Sequence, residues 1–302
     1  MNKTYPKSLN IIIRIVIGLV FEISAIFKLI SIDSFEVYIY SFGILSLNFS
    51  FLLARFIISI ELFAGILLVM GCYLKKVIIA SILTLSGFCI FILILLLTNN
   101  KDHCHCFGDI VELSHFSSIL KNIFLIALLI IIYNNPQVKN KYCKLILLIS
   151  IAISLALPFI ISPPDSFMFE KYSKNINYNE TRLSDFINNN VQISEGKSVI
   201  CFFGSSCRFC KLAAQKISVI ATKTNKKDLI TYVFWGSEES VASFFEETNS
   251  HIFRYLKLDT DIFLKTTNGN MPLIFLLENG NSIKCFGYRD LDENEIIKFL
   301  ND

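Results

Sequence analysis

The 302-residue chain has little net charge and lacks any basic tract. It carries 28 lysine and arginine residues against 25 aspartate and glutamate residues, a formal charge of +3. Basic residues interleaved with aromatic ones, the pattern of nucleic-acid binding, do not occur, so nucleic acid is excluded as a partner. Only 18% of residues are charged, whereas 53% are hydrophobic and the mean hydropathy is +0.56. These values exceed those of soluble globular chains, and part of the chain is predicted to lie in lipid.

Long apolar stretches occupy the first half of the chain. Five of them approach the roughly 20 residues that a bilayer core requires. They lie near Leu9–Ile32, Phe51–Gly71, Val77–Leu97, Ile119–Tyr133 and Leu145–Ser162. The first is too long for a signal peptide and is followed by no small-residue cleavage pattern. The sequence therefore predicts five membrane spans.

Basic residues are missing from alternate loops. Residues 33–50 contain none, and the loop after the third stretch has Lys101 and little else before Lys121. Lysines instead occupy the N-terminus and the other two loops, at Lys3, Lys7, Lys75, Lys76, Lys139, Lys141 and Lys144. Because cytoplasmic loops retain positive charge, the N-terminus is predicted to be cytoplasmic and the C-terminus to lie outside. In a bacterium this describes a multi-pass protein of the inner membrane whose C-terminal domain is periplasmic, where disulfides persist.

Nine cysteines are present, and two pairs of them are close in sequence. The pairs are Cys104 with Cys106 and Cys207 with Cys210. Cysteine behaves as a small buried hydrophobic residue, so the isolated ones are interpreted as packing residues. These are Cys72, Cys89, Cys143, Cys201 and Cys285.

The composition changes after Pro163 and Pro164 to a polar, asparagine-rich stretch that predicts a linker and the entry to a domain. Strand-like runs then occur at residues 198–203, 229–235, 273–277 and 282–286, with a short segment near 255–258. Helical patterns begin at Cys207 and cover residues 238–247 and 292–300. The predicted fold is an α-helical membrane bundle followed by an α/β domain. The predicted boundaries are 1–137 for a four-helix bundle, 138–165 for a fifth transmembrane helix, 166–190 for a linker and 191–302 for the α/β domain.

In the C-terminal domain, the segment Cys207-Arg-Phe-Cys210 follows a buried strand, and Met271-Pro272 precedes a hairpin. These two features give the domain a resemblance to the thioredoxin superfamily. It implies a thioredoxin-like fold in which Pro272 is a cis-proline facing the dithiol. Ser206 departs from the family, which often has tryptophan at this position.

The spacing of Cys207 and Cys210 suits thiol–disulfide exchange. A thiol at the first turn of a helix is favoured as the thiolate, so Cys207 is predicted to be the nucleophile. Cys210 can reach back to resolve a mixed disulfide, and Arg208 is expected to lower the thiol pKa further. A structural disulfide and half of a zinc site are the alternatives. Zinc needs four ligands, but His251 is the only histidine in this half and no second Cys-x-x-Cys accompanies it.

The first four spans contain a characteristic set of residues in spans one and two and a cysteine segment after span three. These are Arg14, Gly18, Phe21, Ser24, Lys28, Glu61, Gly65 and the segment Cys104-His-Cys-Phe-Gly-Asp109. With them, residues 8–135 resemble the DoxX/MauE family of small four-helix membrane proteins. The last segment points to the MauE side of the family. That resemblance implies a role in maturing methylamine dehydrogenase, an enzyme rich in periplasmic disulfides, and thus in methylamine metabolism.

The Cys104/Cys106 pair allows three interpretations. A Cys-x-Cys disulfide closes a small, strained and comparatively oxidising ring, which suits a relay with Cys207/Cys210. The alternating His103-Cys-His-Cys106 segment, with Asp109 and His115 nearby, could instead hold a metal. Successive residues of an extended segment point to opposite faces, which disfavours that alternative. A structural disulfide is the third interpretation.

Ionisable residues within the predicted spans are also candidates for function. Arg14, Lys28 and Arg55 lie near span ends and can extend to water. Glu22 and Glu61 are deeper, so they are expected to be protonated, paired or lining a cavity. A proton path serving a quinone site and pairing with a basic residue are the two alternatives.

The sequence as a whole predicts a redox-active, disulfide-forming protein of the membrane. We expect a thiol–disulfide oxidoreductase that relays electrons between Cys104/Cys106 and Cys207/Cys210 and acts on cysteine-containing periplasmic proteins. The sequence requires no metal and no cofactor, and a quinone is a candidate electron partner. The alternative is a non-enzymatic assembly or metal-handling factor of the membrane.

Overall fold

The structure is a computed structural model that describes residues 7–97, 104–109, 111–133, 141–173, 176–248 and 253–302. The chain divides into two compact units. The first contains Met1–Glu36 and Leu52–Pro163, and the second contains Val37–Phe51 and Pro164–Asp302. The second unit therefore combines a short segment from the first half of the chain with the whole C-terminal part.

The N-terminal half is helical. Its helices are α1 (Lys7–Ile30), α2 (Ile32–Ser41), α3 (Leu47–Met70), α4 (Leu74–Leu97), α5 (His115–Tyr133) and α6 (Cys143–Ile161). Within the described part of the chain, all of these except α2 are long and apolar enough to cross a membrane. An α-helix satisfies its backbone hydrogen bonds internally, as lipid requires. The protein is thus a multi-pass membrane protein.

The helices begin earlier than the apolar stretches predict. Helix α5 starts at His115 rather than Ile119, because the Ser114 hydroxyl accepts a hydrogen bond from the backbone N–H of Ser117 at 3.2 Å and caps the first turn. Between α4 and α5, two short antiparallel strands form, β1 (Cys104–Asp109) and β2 (Val111–Leu113). Polar first turns and short strands lack the apolar signal from which the spans were predicted.

The C-terminal part alternates helices and strands. Its elements are α7 (Phe169–Ser173), α8 (Glu180–Asn188), α9 (Val191–Ser194), β3 (Lys197–Gly204), α10 (Arg208–Thr224), β4 (Ile230–Trp235), α11 (Glu238–Thr248), β5 (Arg254–Lys257), α12 (Thr260–Thr267), β6 (Leu273–Glu278), β7 (Asn281–Phe286) and α13 (Glu293–Asn301). The strands form one sheet in the order β5-β4-β3-β6-β7, with β3, β4 and β5 parallel and β6 and β7 antiparallel. This mixed sheet with helices on both faces is a thioredoxin-like fold.

The central strand β3 is buried on both faces, which explains its nearly continuous apolar sequence. On one face, Cys201 and Phe203 pack with residues of α10, α11 and α13. On the other face, Ile200 and Phe202 pack with residues of α8 and with Phe263 of α12. Packing on both faces therefore fixes the position of the end of β3 and of the turn that follows it.

The predicted linker over residues 166–190 differs from the structure. Helix α8 lies within it, and its Leu183, Phe186 and Ile187 are buried against the sheet. Their i, i+3, i+4 spacing is that of an amphipathic helix. The surrounding asparagines obscured this short pattern. Helix α12 was likewise absent from the prediction.

The segment Val37–Phe51 packs within the C-terminal unit. The backbone N–H of Leu47, the first residue of α3, donates to Glu293 Oε2 at 2.6 Å. Lys223 Nζ donates to Glu293 Oε1 at 2.7 Å and to the Leu45 carbonyl oxygen at 2.8 Å. Helix N-terminal N–H groups need an acceptor, and a carboxylate also suits the local positive dipole. Glu293 thus joins α13 to the segment that precedes α3.

Candidate active site

Cys207 occupies the N-cap position of α10, directly after the buried strand β3 and a short turn. Its backbone N–H donates to the Gly204 carbonyl oxygen at 3.0 Å, which holds the turn closed. Its sulfur accepts a hydrogen bond from the backbone N–H of Cys210 at 3.3 Å. The sulfur therefore faces the unsatisfied N–H groups of the first helical turn.

The surroundings of Cys207 favour its thiolate. Its pKa is lowered from 9.0 to about 7, first by a hydrogen bond from the Cys210 side chain and then by the backbone N–H groups of Cys210 and Phe209 and the charge of Lys211, while partial burial opposes the shift. A large fraction of Cys207 is thus ionised at neutral pH. Arg208, the residue expected to act here, is exposed, and the contributing cation is Lys211.

Cys210 has the opposite character. Its side chain is fully buried, and burial followed by the hydrogen bond and charge of Cys207 raises its pKa far above the ordinary value. Both residues are free thiols in this structure. The pair thus combines an accessible thiolate with a protected neutral thiol, the arrangement that attack and subsequent resolution require.

Gly204 leaves room for Met271 and Trp235 beside the turn that carries Cys207. A Cβ atom at this position would lie 2.6 Å from Met271 Sδ, 3.4 Å from Cys207 Cβ and 3.8 Å from the Trp235 ring. The peptide bond between Met271 and Pro272 is cis. The segment that carries Pro272 therefore lies against the turn that carries Cys207, and only glycine leaves room for this contact.

An aromatic and basic rim adjoins the dithiol. Phe209, the third residue of the Cys-x-x-Cys segment, is 37% exposed, and its ring centroid lies 5.1 Å from that of Tyr288. The Arg289 guanidinium lies 5.8 Å from both ring centroids and pairs with Asp165 at 2.8 Å. An exposed aromatic ring beside a thiolate is a suitable contact for a peptide chain.

Sequence reasoning missed several of these residues. Lys211 is held in place by Glu247, at 2.8 Å between Nζ and Oε2. Its spacing of four residues from Cys207 places it one turn along the same helix face, a signal available from sequence. Trp235 and Arg289 reach the site through tertiary packing and left no local signal.

The second predicted pair falls in a segment whose side chains lie outside the described part of the structure. The backbone of Cys104 and Cys106 forms strand β1, with Cys104 opposite Leu113. His103, His251, Lys3, Lys101 and Lys139 also lie outside the described residues. Within the described residues, no group of three or more histidine, cysteine or acidic side chains is placed to hold a metal ion.

The ionisable residues of the spans are mostly paired. Lys28 forms an ion pair with Glu61 and also donates to Ser24 Oγ at 3.1 Å. Ser24 in turn donates to Glu61 Oε2 at 3.2 Å. For Glu61 the alternative of helix-to-helix pairing is therefore the one observed. Lys28 is only 3% exposed, so the interpretation that it extends to water is wrong.

Arg55 is also buried, at 1% exposure, and forms an ion pair with Glu36. Its Nε donates to the carbonyl oxygen of Ser162 at 2.8 Å, so it joins α2, α3 and the end of α6 rather than extending to water. Arg14 donates to the Val69 carbonyl oxygen at 3.3 Å, and the Glu22 side chain packs against Gly65. These contacts connect α1 with α3.

Two cysteines interpreted as packing residues form a disulfide. Cys72 and Cys143, which are 71 residues apart in sequence, are bonded to each other with their Cα atoms 5.3 Å apart. The packing interpretation is therefore wrong for these two. The bond joins the turn between α3 and α4 to the first residue of α6.

The fold and the site define a class: a multi-pass membrane protein with a C-terminal thioredoxin-like domain that carries a Cys-x-x-Cys dithiol. Residues 6–134 match the model of the family described as "Methylamine utilisation protein MauE". The N-terminal domain thus resembles that family. The chain is also similar to "Protein TlpB" of Flavobacterium psychrophilum, with 26% identity over an alignment of 346 positions that covers 95% of this chain and 93% of the relative.

A solved structure was also matched. It is a secreted disulfide oxidoreductase of Mycobacterium tuberculosis, described as homologous to DsbE of E. coli. The match covers 35% of this chain and 81% of that one, with 18% identity and a TM-score of 0.29. The sheet order and the dithiol geometry, rather than this match, carry the assignment of the fold. The apolar helices, the fold and the dithiol together support a redox role at a membrane.

Proposed function

We propose that this protein is a membrane-bound thiol–disulfide oxidoreductase that acts on cysteine-containing proteins through Cys207 and Cys210. The observation that carries the proposal is the asymmetry of the pair. Cys207 is half-buried at a helix N-terminus with a pKa of about 7, whereas Cys210 is fully buried with a raised pKa. Such a pair performs exchange in two ordered steps.

In the reductive direction, the Cys207 thiolate attacks one sulfur of a client disulfide, forming a mixed disulfide and releasing one client thiolate. Cys210 then loses its proton and attacks the Cys207 sulfur, which releases the second client thiolate. Two electrons pass to the client, and the protein is left with a Cys207–Cys210 disulfide. The same steps in reverse oxidise a client, and Pro272 and Phe209 adjoin the incoming chain in both directions.

The proposal places the protein in a bacterial inner membrane, with the N-terminus in the cytoplasm and the thioredoxin-like domain in the periplasm. Support comes from the lysines of alternate loops and from the contacts of Glu293 and Lys223 with the segment Val37–Phe51. These contacts require that segment and the domain to lie on one side of the membrane. Residues 33–50 are free of basic residues, as expected of an outer loop.

A relay between Cys207/Cys210 and Cys104/Cys106 belongs to the same proposal, since both pairs follow an odd number of spans. Electrons that Cys207/Cys210 takes from a client would pass to a Cys104–Cys106 disulfide, and a quinone of the membrane is the proposed acceptor beyond it. The family description matched by residues 6–134 makes proteins of methylamine utilisation the first clients to test.

Insulin reduction by the full-length protein in detergent, with dithiothreitol as electron donor, tests the central step. We expect Cys207→Ser to abolish the activity above the buffer rate and Cys210→Ser to accumulate mixed disulfides through Cys207. Cys285→Ala is the matched control, because this partly buried thiol of the same domain has a pKa raised by burial and by Asp290. Full activity in a variant lacking both Cys207 and Cys210 would overturn the proposal and favour a non-enzymatic assembly factor.

The relay and the acceptor have separate tests. A Cys210→Ser variant in native membranes should yield an intramolecular mixed disulfide between Cys207 and Cys104 or Cys106, identified by peptide mass spectrometry. If this mixed disulfide is absent in repeated preparations, the proposed relay is contradicted. Proteoliposomes with and without menaquinone, supplied with a reduced client, test the acceptor by the absorbance of the quinone, and an unchanged absorbance would exclude it.

A further inference from the structure

The Cys72–Cys143 disulfide lies at one end of the membrane helices. Cys72 follows α3 and precedes α4, and Cys143 is the first residue of α6. The Cys104 segment follows the other end of α4, whose 24 residues at about 1.5 Å each span about 36 Å. The disulfide is therefore separated from the Cys104/Cys106 segment by the length of one membrane-spanning helix.

Exposed lysines surround this end of the helices. Lys75 and Lys76 lie in the first turn of α4, and Lys141 and Lys144 flank Cys143. All four side chains are exposed. A basic end of a membrane helix bundle faces the cytoplasm, where thiol reductants keep cysteines reduced. Disulfides that form in that compartment are usually transient and take part in catalysis or redox sensing.

We propose that Cys72 and Cys143 are a third redox pair, which exchanges electrons with a protein dithiol of the cytoplasm. The proposal rests on the orientation given in the proposed function and extends it, because it provides the protein with a thiol contact on the membrane face opposite to the thioredoxin-like domain. It needs no client of that domain and no participation of Cys207 or Cys210.

The two sulfurs differ in access. The Cys72 side chain has no exposed surface, whereas Cys143 is partly exposed. An incoming thiolate therefore attacks the Cys143 sulfur, forms a mixed disulfide and releases Cys72 as a thiolate that takes up a proton. The second thiol of the partner then loses its proton and attacks the sulfur of the partner's first cysteine in the mixed disulfide. This step releases Cys143 as a thiolate. Two electrons pass from the partner dithiol, which becomes a disulfide, to Cys72 and Cys143.

The position of Cys143 favours the second step. Cys143 is the first residue of α6 and thus belongs to the first helical turn, at the positive end of the helix dipole. The dipole favours the negative charge of the leaving sulfur. Cys207 precedes α10 as its N-cap and Cys143 is the first residue of α6, so the chain has a partly exposed cysteine at the N-terminal end of two separate helices.

Thiol labelling in inverted membrane vesicles tests the proposal with full-length protein carrying Cys207→Ser and Cys210→Ser. A bacterial thioredoxin, kept reduced by its reductase and NADPH, is the probe, and maleimide labels of Cys72 and Cys143 are read by peptide mass spectrometry. We expect thioredoxin to convert the pair from unlabelled to labelled. If the pair stays unlabelled with excess thioredoxin and becomes labelled only after denaturation with dithiothreitol, it is a structural bond and the proposal is overturned.

A trapping experiment is the matched control. Thioredoxin that lacks its resolving cysteine and carries a disulfide-linked thionitrobenzoate on the remaining one should form a mixed disulfide with Cys143 of the Cys72→Ser variant, releasing thionitrobenzoate. It should not do so with the Cys143→Ser variant, whose remaining Cys72 is buried. Equal trapping by both variants contradicts the ordered attack. Reduction only in right-side-out vesicles would overturn this proposal through its orientation, while the insulin assay would still report independently on Cys207 and Cys210.

Discussion

The membrane helices and the thioredoxin-like domain treat their charged side chains differently. In the helices, the buried charges Lys28 and Arg55 each meet a carboxylate of opposite sign. Lipid offers no water to solvate a charge, so an internal counter-charge is the available compensation. These contacts serve to join helices, and they neutralise the charges that they bury.

In the domain, by contrast, one charged side chain acts on the dithiol although its ion pair is with another residue. Lys211 lies near enough to Cys207 to lower its pKa, yet its own ion pair is with Glu247 and partly exposed to water. Because water screens this partly exposed ion pair, it has little effect on the free energy of unfolding. The comparison teaches that polar contacts in the helices determine structure, whereas those beside the dithiol adjust reactivity.

The largest expected effect is the loss of a buried counter-charge. Glu36→Gln leaves the Arg55 guanidinium, which is 1% exposed, without its carboxylate. Such a loss lowers the free energy of unfolding by about 3–5 kcal/mol. We therefore expect the variant to unfold at a much lower mole fraction of denaturing detergent in mixed micelles. The double variant Glu36→Gln/Arg55→Met should recover part of the stability. A loss below about 1 kcal/mol, the size of a surface pair, would break the comparison.

A smaller effect is expected at the turn of the dithiol. Gly204→Ala places a methyl group 2.6 Å from Met271 Sδ, so the Met271 side chain must move from its place beside Cys207. Overpacking of this kind costs about 1–3 kcal/mol, measured by guanidinium unfolding with the fluorescence of Trp235, the sole tryptophan. Insulin reduction should fall as well. Gly87→Ala is the control, because a Cβ atom there would meet nothing within 4 Å.

The charge of Lys211 should be visible in a pH profile. Cys207 reacts as the thiolate, so its alkylation by iodoacetamide should rise with pH through a midpoint of about 7 and fall off below it. Lys211→Met removes a cation that favours the thiolate, so the midpoint should move to higher pH while the plateau rate stays the same. Lys226→Met, at an exposed lysine of the same domain, should leave the profile in place. An unchanged midpoint in Lys211→Met would assign the low pKa to hydrogen bonds alone.

The smallest effect is expected at an exposed ion pair of the domain. Lys265 and Asp261 are 2.5 Å apart, but their side chains are 60% and 82% exposed. Exposed pairs contribute little, so Lys265→Ala should change the free energy of unfolding by less than about 0.5 kcal/mol in the Trp235 assay. A larger change would show that the domain, like the helices, depends on its ion pairs.

Local patterns in the sequence predicted most of the architecture. A bilayer requires a continuous apolar stretch, so each of the five spans is visible in its own residues. Cys207 and Cys210 are equally local, because one helical turn separates them and the buried strand β3 precedes them. Their spacing was enough to assign a nucleophile and a resolving thiol before any contact was known.

Contacts between distant residues were decided only by the tertiary structure. Cys72 and Cys143 are 71 residues apart and have no pattern in common, so nothing in the sequence distinguished them from buried packing residues. The Glu36–Arg55 pair and the contact of Met271 with Gly204 depend in the same way on how helices and strands pack. The sequence by itself determined the spans and the dithiol, because regular elements repeat over a few residues. Packing decided which side chains meet across those elements, because that depends on the whole fold.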